Sequence, residues 1–179
     1  FLGAVENFFS KCAPAMFMGW SNLNFDRRMF HFNFFKGNRY PYATHSSPNS
    51  EHDGLHIARA AQTLNSETLK TELTEAGNPS LALESLSRMQ GFDTSASHTA
   101  YVDAQNSLKV LRIIKEKHKE NWQTFLKTST KSSVETILKS DGVYSIFENV
   151  KGRNMMYLVS TLHPNQCFHP SYASWGYLW

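Results

Sequence analysis

His52 and His56 stand four residues apart, with Glu51 and Asp53 beside them. On one helix, imidazoles at i and i+4 can share a metal ion. Gly54 interrupts that turn, no HExxH pattern is present, and no third ligand is evident. Polar residues at a helix start, with Asp53 as the cap, account for the group better. The other histidines, at 31, 45, 98, 118, 163 and 169, are single and show no ligand spacing. Cys167 and His169 are two apart in an aromatic tail, where an extended chain would turn both to one side. A nucleophile and base also need an orienting acid and an oxyanion loop, and neither is visible, so a buried structural cysteine is expected. No GxGxxG or GxxxxGK[ST] loop occurs to cradle a nucleotide. The chain is therefore expected to have no catalytic residues, no cofactor and no metal, and not to be an enzyme in its own right.

The basic stretch carries more. Lys109, Arg112, Lys115, Lys117, Lys119, Lys127 and Lys131 are balanced only by Glu116 and Glu120. Arg112, Lys115 and Lys119 fall at i, i+3 and i+7, one stripe of a helix. Such a stripe can hold phosphate or an acidic protein surface, or simply be a solvated face.

These residues sit in a chain of 179 residues, 41% hydrophobic and 18% charged, with a formal net charge of +3. That is enough for one packed core and too apolar for disorder. Cys12 and Cys167 offer no CxxC pattern and no disulfide framework. No run of roughly 18 apolar residues is present, so a membrane-spanning helix is not expected. The chain opens at Phe1 without a methionine, which a processed product or a trimmed chain would both show; loss of an organellar presequence would leave such a start.

Three parts are expected. Residues 1–50 form an aromatic arm and linker. Met29 to Phe34 alternates apolar and polar, the period of an extended segment. Phe30, Phe32 and Phe34 should point to one side, folded back on the body or docked on a partner, with Asp26, Arg27 and Arg28 at the wet edge. Gly37 to Ser50 is rich in turn residues. Residues 51–162 read as helix after helix. Asp53 caps Leu55, Ile57, Ala58, Ala61 and Leu64; Ser66 opens a second helix through Leu69 and Leu73 to Gly77; Asn78 and Pro79 begin a third that stops at Gly91. Ser97 or Thr99 starts the next, through Leu108, Leu111 and Ile114. Further helices follow around Trp122, around Ile137, and on either side of Lys151-Gly152. Residues 163–179 form an aromatic tail.

The segment from Leu73 to Asp93 resembles the pentatricopeptide motif. Gly77 matches its inter-helix turn, Ala82 and Leu83 its inner face, Leu86 its aromatic slot, and Met89 and Gly91 its end. The resemblance implies an all-α fold of stacked antiparallel helical hairpins, a degenerate pentatricopeptide or tetratricopeptide array with an extended aromatic N-terminal arm. Small members of the family include a pentatricopeptide-type subunit of euglenozoan mitochondrial F1-ATPase. The resemblance thus implies a non-catalytic accessory subunit of a mitochondrial complex, most specifically the F1 part of ATP synthase. It would lie in the matrix or on the matrix face of the inner membrane and bind the catalytic head through Phe30, Phe32, Phe34, Arg112, Lys115 and Lys119. The alternative is an organellar pentatricopeptide protein that binds RNA, which a few uneven hairpins of low net charge would grip weakly.

Overall fold

The computed structural model describes residues 1–95, 99–140 and 142–160. Ser97, Asp141 and the tail from 163 to 179, with Cys167 and His169, lie outside them.

The all-α expectation fails first at Met16. Helix α1 (Leu2–Cys12) leads into strand β1 (Met16–Gly19). Helix α2 (Asp26–Lys36) and a run of turns then return the chain to strand β2 (Ser50–Asp53). The strands pair in parallel, Met16 opposite Ser50 and Gly19 opposite Asp53. The connection is obligatory, because parallel neighbours cannot be joined by a tight turn.

The extended arm is likewise corrected: Phe30 and Phe34 lie one turn apart on α2, not along a strand. Phe34 is 2% exposed, with its ring centroid 6.3 Å from that of Phe9. Phe9 also meets Phe30 edge-on at 5.5 Å and Phe17 at 4.9 Å. Edge-to-face packing at these distances adds about 0.5–1.5 kcal/mol per pair beyond area burial. Phe32, expected on the same side, is on the outer face and exposed. Alternation misled here because α2 spreads its aromatics around the helix with no single apolar face.

Helix α3 (Gly54–Leu64) follows β2 directly, and the Asp53 side chain caps it by accepting from the Leu55 N–H. Its Ile57, Ala58 and Ala61 join Leu69, Leu81, Leu86, Val110, Leu111 and Ile114 in the core. The two-helix hairpin expected between Ser66 and Gly91 is absent. Residues 65–82 form turns and a bridge between Leu73 and Pro79. Leu73 is 70% exposed, so its spacing from Leu69 marks no helix face. Gln62 holds this segment instead, accepting from Leu69 N–H and donating to the Ser66 carbonyl. Gly77 serves the turn with φ +74, and Ala82 is the N-cap of a short helix α4 (Leu83–Met89). Leu86 of α4 is fully buried, and Gly91 (φ +75) ends the element.

Helices α5 (Ala100–Lys117), α6 (Lys119–Lys127) and α7 (Lys131–Ser140) follow. The last expected pair of helices is an antiparallel hairpin, β3 (Tyr144–Val150) with β4 (Arg153–Val159). Lys151 and Gly152 connect them with φ +50 and +83, the two left-handed residues that a type I′ turn requires. Among the described residues, no helix is long and apolar enough to cross a membrane.

Candidate functional site

In a parallel α/β sheet, ligands bind beyond the carboxyl ends of the strands. Here those ends are Gly19 and Asp53. The Asp53 side chain is fully buried. Its Oδ1 accepts from the backbone N–H of Ser21 (2.8 Å) and of Leu55 (2.9 Å), and its Oδ2 from Leu23 (3.3 Å). One carboxylate thus ties the start of α3 to the loop after β1, in which Ser21 takes a φ of +58. That loop delivers Asp26 as the first residue of α2.

Asp26 opens onto a cleft of about 480 Å³, which Phe17, Trp20, Arg27, Phe30 and Asp103 also line. Asp103 comes from the first turn of α5, whose Ser107 hydroxyl donates to the Asp103 carbonyl oxygen. The cleft wall desolvates the Asp26 carboxyl, although solvent reaches it, and raises its pKa above the ordinary value. The negative charge of Asp53 adds to the rise, and the hydrogen bond to Asp26's own backbone opposes it. A carboxylate whose ionisation is disfavoured in this way gains from a cation placed beside it. Arg27 pairs with the buried Glu51 of β2, Nε to Oε2 at 2.5 Å, and Thr44 donates to the other oxygen of that carboxylate. The Trp20 indole N–H donates to the Leu81 carbonyl at 3.2 Å, fixing the ring at the rim.

His52 and His56 do not share a helix: one lies in β2 and the other on α3, and both line a second cavity of about 350 Å³. The Asp53 N–H donates to His52 Nδ1 at 2.8 Å, so Nε2 carries the proton and donates to the Phe125 carbonyl at 2.7 Å. Burial lowers the His52 pKa, which keeps the ring neutral. His52 is a strut between β2 and α6. Among the described residues no three His, Cys, Asp or Glu side chains are grouped to hold a metal.

The basic stripe is split by the fold. Arg112 and Lys115 are exposed on α5, while Lys119 opens α6 beyond the His118 joint. At about 100° per residue, Arg112 lies on the side of α5 opposite Asp103. Of the aromatic set, Phe30 enters the cleft wall, Phe34 the aromatic cluster, and Phe32 the outer surface.

Asp26 and Asp103 were not marked by the sequence. They are far apart in the chain, and each looks like an ordinary first-turn acid. No local signal joins them: each stands in the first turn of its own helix, and only the folded chain brings both to the cleft beside β1.

No family model matches the chain. It is 27% identical over 122 residues to exodeoxyribonuclease I of Haemophilus influenzae, covering 68% of this chain and 26% of that protein. Over 179 residues it is 27% identical to the Buchnera aphidicola exodeoxyribonuclease I, covering 90% and 37%. The Escherichia coli exodeoxyribonuclease I is 30% identical over 103 residues, 55% and 21% of the two chains. The chain thus spans well under half the length of these relatives.

Solved structures agree on the architecture. E. coli exonuclease I in complex with a dA16 oligonucleotide superposes with a TM-score of 0.76 at 19% identity, covering 91% of this chain and 36% of that one. An ExoI/SSB-Ct complex gives 0.73 at 18% identity, covering 93% and 37%. The fold is that of part of exonuclease I, mixed α/β and not a helical repeat. The pentatricopeptide resemblance is overturned, and with it the F1-ATPase subunit, the catalytic-head partner and the RNA-binding alternative. The reading as a non-catalytic subunit falls too, since the relatives are nucleases by name. The relatives are bacterial, so the mitochondrial placement goes with the resemblance that carried it.

Proposed function

We propose that the chain forms part of an exodeoxyribonuclease that removes nucleotides from an end of single-stranded DNA. The observation that carries this reading is the cleft at the carboxyl ends of β1 and β2, where Asp26 and Asp103 face one space within an exonuclease I fold. Two carboxylates are hard oxygen donors of the kind that hold Mg²⁺ or Mn²⁺. Two donors are half of such a site, and the relatives extend far enough to supply the rest. When bound, such an ion supplies Lewis acidity at a phosphoryl oxygen and an activated water. Within this chain, Asp26 and Asp103 place the negative charge that would hold it. The cleft walls exclude part of the surrounding water. Trp20 and Phe17 offer aromatic surface, on which bases stack without regard to sequence.

The test uses the full-length protein, Mg²⁺ and an end-labelled dT oligonucleotide. Progressive shortening is expected, slowed at least about a hundredfold by D26N and by D103N, each with a near-normal urea midpoint. An oligonucleotide left intact, or both variants as fast as the unaltered protein, would sink the reading.

A further inference from the structure

Arg27 follows Asp26 on α2 and lines the same cleft, yet neither the carboxylate pair nor the fold accounts for it. Its partner Glu51 has a side chain only 4% exposed, and both its oxygens are committed, one to Arg27 Nε and one to Thr44. The imidazole of His45 lies 3.9 Å from the same carboxylate. A buried acid held this firmly fixes the direction of the guanidinium. Only Nε is spent on it. The Arg27 side chain stays 29% exposed, and the described residues give its two Nη groups no partner. A guanidinium presents its donors as a planar fork that matches two oxygens of a phosphate. The cleft otherwise shows substrate two carboxylates, which would repel a polyanion.

We propose that Arg27 binds a backbone phosphate of single-stranded DNA in the cleft, with Glu51 as the positioning residue that aims its guanidinium. This rests on the exonuclease reading above and adds to it a substrate-contact residue outside the carboxylate pair. A purely structural ion pair would require the Nη groups to be engaged or enclosed. Here Arg27 lines the cleft with its side chain part exposed, next in sequence to the acid that would hold a cation.

Binding without hydrolysis separates the two ideas. Full-length protein is titrated with a fluorescent dT oligonucleotide in EDTA, by anisotropy, from about 50 to 300 mM salt. Each lost phosphate contact on a single strand flattens the slope of log affinity against log salt by about 0.7. R27A should show that flattening and bind about tenfold more weakly at the low-salt end. R27A leaves Glu51 buried without its cation, so the R27A/E51Q double variant is measured too, and must flatten equally. R27K and E51Q keep the charge, so both should retain the slope while losing affinity, because the fork is lost in one and its aim in the other. Damage to the fold would not divide slope from affinity in this way. An R27A slope equal to that of the unaltered protein overturns the Arg27 assignment and leaves the exonuclease reading standing. No binding by the unaltered protein overturns both.

Discussion

Removing the Asp53 carboxylate should damage the molecule more than any change at the cleft surface. Its oxygens satisfy three backbone donors, at Ser21, Leu23 and Leu55, and the side chain has no exposure to water. Loss of the helix cap alone costs about 0.5–2 kcal/mol, and leaving buried donors unmet costs about 1–3 kcal/mol each, partly recovered by water. D53A should therefore lose about 3–5 kcal/mol, a large share of the roughly 5–15 kcal/mol of a typical domain. D53N keeps one oxygen for Ser21 and Leu55 but turns an N–H₂ toward the Leu23 donor, so about half that loss is expected. Urea unfolding followed by far-UV circular dichroism at 25 °C reads both values. The folded D53N protein should also degrade single-stranded DNA more slowly, because the loop that Asp53 pins carries Asp26. A D53A loss below about 1 kcal/mol, or equal losses for the two variants, would refute the argument.

Mild acid should weaken the fold through its buried histidines. Burial lowers the pKa of His31, His45, His52, His56 and His118. Below about 6.5 the unfolded chain takes up protons that the folded one refuses, so stability is full above that value and falls as pH drops toward the folded values. Asp26, with its raised pKa, acts oppositely. The urea midpoint should drop between pH 7.5 and 5.5; a midpoint unchanged or higher at 5.5 contradicts this. In the core, L86A should cost about 2–5 kcal/mol by calorimetry or urea, since Leu86 is fully buried among the α3 and α5 side chains. A loss under about 1 kcal/mol would mean that the site collapses around the gap.

Helices with a marked face and a cap were legible. Asp53 before Leu55, Ile57, Ala58 and Ala61 identified α3, and the Leu108, Leu111 and Ile114 run after Ser97 or Thr99 identified α5. Short strands were not. Ser50-Glu51-His52-Asp53 has no apolar alternation, because its polar side chains are buried by partners distant in sequence: Arg27 and Thr44 for Glu51, Phe125 and Thr128 for His52, the loop after β1 for Asp53. Tyr144 to Val159 is rich in strand-forming types and Lys151-Gly152 marks the joint of a pair, but the helical rhythm upstream favours two helices over two strands. The α2 error is the converse. Its aromatics alternate along the chain while the helix sorts them by turns of three and four. Asp26 and Asp103 become a pair only once the packing of α5 on the other helices brings its first turn to the cleft beside β1, which is information held by the fold and not by any local window.

The parallel pairing of β1 with β2 also sets the order in which the molecule can assemble. Met16 must find Ser50 across 50 − 16 = 34 residues, and that closure loses chain entropy before any ladder bond compensates for it. The β3–β4 hairpin closes a two-residue connection and can form within microseconds, as can the helical turns of α5. Until the long closure occurs, Asp53 has no loop to grip and Asp26 has no fixed position. The cleft is thus a non-local part of this chain, and it cannot be complete until that closure has occurred.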